Sequence, residues 1–268
     1  LIKHYSLFRT DTLSLVFIFL GGLILLLIIA PLAGMFLHTP CKDLIQTAGE
    51  GAVQKSIWLT LLTAMGATLL CSLGAIPFAY LLARRDFPLK RLVTGIIDIP
   101  VIIPHSAAGI AVLGIISRES LIGNAADKAG FSFVNHPAGI MTAMAFVSLP
   151  FLINAARDGF IAVPERLEKA ALSLGASPLR VFFTVALPLA WRSILSGLIL
   201  MWARGMSEFG AVVIVAYHPM ITPVLIYERF GAFGLKYARP VAVLFITVCL
   251  VVFIMLRIIA WEKKNDRD

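Results

Sequence analysis

ERLEKAALSLGASPLRVFFTVALP, residues Glu165 to Pro188, is the longest segment of cytoplasmic character between two apolar runs. It reads as two short helices around a break. Ala170, Ala171, Leu172 and Leu174 favour helix, and Gly175 can end it by taking a positive φ. Ser177 offers an N-cap hydroxyl for a second helix, and Pro178 falls at its first position, where a missing N–H costs nothing. Leu179, Phe182 and Phe183 give that helix an apolar stripe, and Pro188 is expected to close the unit.

The chain around this segment is not that of an ordinary soluble domain. Of its 268 residues 59% are hydrophobic and only 14% charged, with a mean hydropathy of +0.92. The net charge of +8 raises the question of nucleic acid. The basic residues crowd loops on one side of the apolar runs, however, which is the signature of membrane topology and argues against a nucleic-acid partner. Cys41, Cys71 and Cys249 are odd in number and lack metal-ligand spacing, so neither a disulfide framework nor a metal site is expected.

Six spans are expected, at 13–37, 56–83, 93–117, 137–156, 193–217 and 240–261, in one all-α permease domain over 1–268. The first is uncharged for about 25 residues, enough to cross a ~30 Å hydrocarbon core. It is too long for a signal-peptide core and reads as retained. The interval 157–192, which contains Glu165–Pro188, is left as the one sizeable loop. Arg257 is close enough to the end of the sixth span to snorkel. Fifteen Lys and Arg fall on the side of that loop against seven on the other, with Arg204 inside a span. The positive-inside rule therefore puts both termini and the loop in the cytoplasm of a multi-pass membrane protein.

Four polar residues lie within the spans. Arg204 and Glu208 are four apart on the fifth span and share a face; Asp98 and His105 are two turns apart on the third and also share one. A charge at a helix centre costs about 2.5–3.5 kcal/mol on insertion scales, so these groups should face protein or water. Two roles fit: lining or gating a pathway, and ion pairs that fix helix packing or a dimer seam.

The central segment resembles the "EAA" loop of ABC-importer permeases, a pattern of E-A-A, three residues, G, nine residues, I-x-L-P. Ala170, Ala171 and Gly175 match, as do Val185, Leu187 and Pro188, while Lys169 stands where the family has Glu and Glu168 is adjacent. The bland alternative is an amphipathic hairpin with no partner, which leaves the Gly and Leu-Pro spacing unexplained. The segments Asp98-Ile-Pro-Val-Ile-Ile-Pro104, Ala203-Arg-Gly-Met-Ser-Glu-Phe-Gly-Ala211 and Pro77–Pro88 (PFAYLLARRDFP) are similar to those of molybdate, tungstate and sulfate permeases. The resemblance covers most of the chain after residue 50.

That resemblance implies a type I ABC importer in a prokaryotic cell membrane. Two copies of this chain would form a homodimer on two cytoplasmic ATPases, with an extracytoplasmic binding protein delivering a tetrahedral oxyanion. Glu168, Lys169, Ala170, Ala171, Leu172, Gly175, Ala176, Ser177, Pro178 and Leu179 would dock on the ATPase, and Asp98, His105, Arg204 and Glu208 would be the pathway or gate candidates. No cofactor is expected on this chain itself: G-x-x-x-x-G-K-[ST] is absent, so ATP and Mg would sit on the partner ATPase. H-E-x-x-H and G-x-S-G are also absent, and His4, His38, His105, His136 and His218 are scattered. The rival readings are a six-span anion carrier or channel without an ATPase, and a membrane enzyme. The first leaves the loop motif unexplained and the second lacks a converging catalytic set.

Overall fold

The computed structural model describes residues 12–262, and every regular element in that range is helical. In chain order these are α1 (Thr12–Leu37), α2 (Cys41–Ala48), α3 (Gly51–Arg84), α4 (Lys90–Ile102), α5 (His105–Ile116), α6 (Leu121–Lys128) and α7 (Pro137–Ala162). There follow α8 (Glu165–Ser173), α9 (Pro178–Val181), a π-helical turn (Phe182–Ala186), α10 (Leu187–Met206), α11 (Val212–Val215), α12 (Thr222–Phe233) and α13 (Leu235–Glu262). His4, Lys3, Arg9, the Lys263–Arg267 cluster and the side chain of Arg257 lie outside the described residues.

α7 is the axis of the bundle. It packs along α3 on one flank and α10 on the other. The α7–α10 contact is close because Gly159 meets Ser193 and Gly197 meets Ala155; a Cβ on either glycine would come within 3 Å of those side chains. One core cluster joins Ala75, Ala79 and Leu82 of α3 to Leu152, Ala156 and Phe160 of α7 and to Ala190 and Ile194 of α10. A second, toward the other end of α7, gathers Val112, Met144, Trp202, Val212 and Ile221. α1 buries none of its residues and leans on α13, as a helix bathed by lipid does.

Among the described residues five helices are long and apolar enough to cross a membrane, and α4 with α5 forms a sixth candidate bent by 113°. The expected third span, 93–117, is thus broken. Pro104 has no N–H to give and drives Ile103 out of the α region, so the helix stops at Ile102 and restarts at His105. Side-chain pairing decides whether the bent pair crosses or turns back. Arg84, at the end of α3, bonds Glu168 of α8 and the carbonyl of Val163, which puts the ends of α3 and α7 on one side. Pro137 must then lie on the opposite side, and one crossing has to separate it from Arg84. α4–α5 is that crossing, which makes six.

The far side is identified in the same way. Arg239 donates to the carbonyl of His38, and Arg229 pairs with Glu50, bringing the ends of α1, α12 and α13 together there. Both ends of the described chain therefore fall on the side of the α8–α9 loop.

The fifth span also differs from the interval 193–217. Its helix starts at Pro178, runs through the π turn and ends at Met206. Pro188, expected to close the loop unit, is passed by. It cannot bond four residues back, and the π turn, in which the Leu187 N–H reaches the Phe182 carbonyl, widens the register just before it. The first span falls within a residue of its expected limits, whereas the second, fourth and sixth extend beyond theirs, to Gly51, Ala162 and Leu235.

Candidate functional site

The α8–α9 unit is built from local bonds. α8 ends in a Schellman arrangement: Gly175, at φ +84°, donates to the Leu172 carbonyl at 2.9 Å, and Ala176 to that of Ala171 at 3.1 Å. Ser177 then accepts the Arg180 N–H at 3.3 Å as N-cap of α9, with Pro178 following. The tip is open. Leu174 is 89% and Leu179 69% exposed, beside exposed Leu172, Ala170, Pro178 and Gly175, while Ala171 and Ala176 are half-buried. That is an apolar surface with small residues interspersed, suited to close apposition of another protein. Lys169 points outward and pairs with Glu165 at 2.9 Å; this contact holds the Glu165 carboxyl below its ordinary range.

Glu168 is turned inward, and its partners were not legible as such in the sequence. Its Oε1 accepts from Arg84 Nε at 2.8 Å and Nη2 at 2.6 Å, and its Oε2 from the Tyr80 hydroxyl at 2.7 Å. Arg84 also donates to the Val163 carbonyl at 2.9 Å, and the Arg84 and Glu168 side chains are only 10% and 9% exposed. The Tyr80 ring stands edge-on to Phe160 of α7 and Phe182 of the π turn, with centroids 5.2 and 5.0 Å away. Both arms of the loop are thereby tied to the end of α3. The only sequence signal was the PFAYLLARRDFP segment; Arg84 counted there as one basic residue among fifteen.

From Pro178 to Met206 the chain is one apolar helical run of 29 residues, about 43 Å at 1.5 Å per residue. One end is the loop and the other carries Arg204. Glu208 lies just past the helix, yet the two still meet: Arg204 Nη2 is 2.9 Å from Glu208 Oε2. His105, at the start of α5, completes the cluster. Its Nδ1 is 3.1 Å from Glu208 Oε2, and Arg204 Nη2 is 3.1 Å from both of its ring nitrogens. A carboxylate only accepts and a guanidinium only donates, so Arg204 and Glu208 are complementary across the imidazole. Glu208 Oε1 takes the Ala211 N–H at 2.8 Å. The cluster closes because Gly210 lies against His105 and Gly109 against Ala211, approaches under 3 Å to any added Cβ.

Asp98 does not join it. The break at Ile103 removes the shared face expected of Asp98 and His105, and Asp98 instead accepts from Asn154 Nδ2 of α7 at 2.7 Å. Asn154 Oδ1 is buried without a partner among the described residues. The four intramembrane candidates therefore form two sites, one on α4–α7 and one where α5, α10 and the 207–211 turn converge.

The Arg204–Glu208 pair sets up a double-mutant test. Glu208 is 1% exposed, so Arg204→Leu leaves a buried carboxylate short of its guanidinium, and Glu208→Leu leaves the guanidinium short of its anion. Arg204→Leu/Glu208→Leu is expected to be more stable than the sum of the singles, with a coupling of about 0.5–3 kcal/mol. Thermal unfolding in detergent reads this; strictly additive losses would remove the pair as an energetic unit.

Comparison with known proteins accords with this architecture. The sequence pattern of the family described as "Binding-protein-dependent transport system inner membrane component" matches residues 75–262. The molybdate/tungstate transport system permease protein WtpB of Thermococcus kodakarensis is 41% identical over 257 residues, covering 95% of this chain and 99% of that protein. A probable sulfate transport system permease protein, cysT of Chlorokybus atmophyticus, is 32% identical over 213 residues, 78% of this chain and 74% of that one. In fold, the chain superposes on one from a crystal structure of a bacterial ABC transporter involved in alginate import, with a TM-score of 0.72 at 16% identity, over 93% of this chain and 95% of the other. With the matched region running from the second crossing through the loop to the last helix, the chain belongs to the family of binding-protein-dependent transport system inner membrane components.

Proposed function

We propose that this chain is the permease subunit of an ATP-driven importer for molybdate or tungstate, with sulfate as the next candidate. The observation that carries the reading is the 41% identity to a molybdate/tungstate permease across nearly the full length of both chains. The α8–α9 tip is the seat for a cytoplasmic ATPase, which supplies the hydrolysis this chain does not perform. The side carrying the loop and both described ends is the cytoplasmic one, in keeping with its excess of basic residues.

The mechanism follows from the rigid path between tip and cluster. An ATPase that moves on binding nucleotide pushes on Leu172–Leu179; the Glu168–Arg84–Tyr80 contacts pass the push to α3, and the α9–α10 helix carries it to Arg204. The helices then rock against their counterparts in a second copy and expose the pathway alternately to each side. Selectivity rests largely with the external binding protein.

Reconstitution with the cognate ATPase and binding protein tests this. ATP hydrolysis should rise when the binding protein is loaded with molybdate or tungstate, and oxyanion should accumulate in the vesicles. Accumulation with no ATPase present would overturn the reading in favour of a carrier. Because each chain has one loop unit and ABC motors work as pairs, the purified complex is expected to hold two copies of this chain and two ATPases. A mass measurement finding one copy plus a paralogue would refute the homodimer.

A further inference from the structure

Resting on the reading of the chain as an oxyanion permease, we propose that the open side of the His105–Arg204–Glu208 cluster is a transient contact site for the tetrahedral oxyanion in transit. In this arrangement Glu208 is a resident counter-ion that keeps the hold weak. The cluster sits where the α4–α5 crossing breaks, between the helix that rises from one surface and the helix that leads to the other.

What faces outward there is a set of donors. Glu208 is hidden, 1% exposed, with Oε1 on the Ala211 N–H and Oε2 on Arg204 and His105. Arg204 is 23% exposed. It spends Nη2 on Glu208 and His105 and turns Nη1 toward Ser207 at 3.4 Å, and its Nε–H takes part in none of these contacts. His105 is 49% exposed, and Ser106 beside it is exposed too. Pro104 at the head of α5 offers no side-chain cap, so the N–H groups of His105, Ser106 and Ala107 have no partner within the helix. A guanidinium edge beside the positive end of a half-helix is favourable ground for an anion.

The charges explain why such a contact need not trap its cargo. Arg204 and Glu208 sum to zero as a pair, so an arriving dianion finds hydrogen-bond donors whose positive charge is already balanced. Passage requires a site attractive enough to enter and weak enough to leave. Removing the carboxylate leaves a net positive site that should release the anion slowly.

The test uses the complete transporter, with ATPases and binding protein, in proteoliposomes supplied with labelled tungstate, molybdate or sulfate. If the wild type delivers none of the three, the underlying reading fails whatever the cluster does. If it delivers one, Arg204→Gln is expected to lower the oxyanion delivered per ATP hydrolysed by about tenfold, the worth of one charge-assisted hydrogen bond. Arg204→Lys should recover part of that ratio, and Glu208→Gln should keep more label on the washed complex than the wild type does. Copurification of all subunits checks that each variant assembles. An Arg204→Gln complex that delivers as much per ATP as the wild type overturns the inference, and so does one that loses transport and ATP hydrolysis in equal proportion. Should Glu208→Gln fail to assemble, the two Arg204 variants decide alone.

Discussion

Arg84→Ala is expected to cost about 3–5 kcal/mol and to abolish transport, because it strips a buried carboxylate of its cation. Glu168 is 9% exposed in its side chain, and Arg84 supplies two of its three hydrogen bonds. The same arginine holds the Val163 carbonyl at the end of α7, so its loss unties that end and leaves the Tyr80 hydroxyl as the remaining bond between α3 and Glu168. Glu168→Ala should be as damaging by the reciprocal argument. Replacing both by leucine should recover stability, since an apolar pair of similar volume often matches a buried ion pair, and yet leave coupling impaired. The measurement is thermal unfolding in detergent alongside transport in vesicles. An Arg84→Ala chain as stable as the wild type would show that the ion pair does not anchor the loop.

Gly175→Asp is expected to abolish transport while the chain still inserts and folds. The reason differs from a simple clash. Gly175 holds φ at +84°, and within this chain a Cβ there would meet nothing within 4 Å. A non-glycine residue in that conformation costs about 1–2 kcal/mol, and aspartate is among those that tolerate it best. The larger effect comes from the open side, where a charge would be set between exposed Leu174 and Leu179 on the surface proposed to meet the ATPase. Gly175→Asn separates the two causes, because asparagine shares the backbone tolerance and size without the charge. ATPase copurification should be lost with Asp and largely kept with Asn. Full transport by the Asp variant would remove the tip from the docking surface.

What the sequence by itself determined is what depends on neighbours a few residues away. The helix–turn–helix at 165–181 was legible because Gly175, Ser177 and Pro178 act through bonds to residues no more than five positions distant. The spans were legible because crossing hydrocarbon demands long apolar runs, whatever surrounds them. Pairing across the bundle was not. Glu168 finds Arg84 and Tyr80 at separations of 84 and 88 residues, and Arg204 finds His105 at 99. Which polar groups meet depends on which helices pack together and at what angle, and no local pattern records that. Pro104 was visible as a breaker, but only the 113° bend shows that it sends Asp98 to Asn154 and His105 to Glu208. Likewise Lys169 stands at the family's acidic position in the sequence, whereas the turn of α8 over the end of α3 makes its neighbour Glu168 the residue that is buried and bound. Helical rotation relative to a packed neighbour decides which of two adjacent side chains faces in, and that rotation is fixed by tertiary contacts alone.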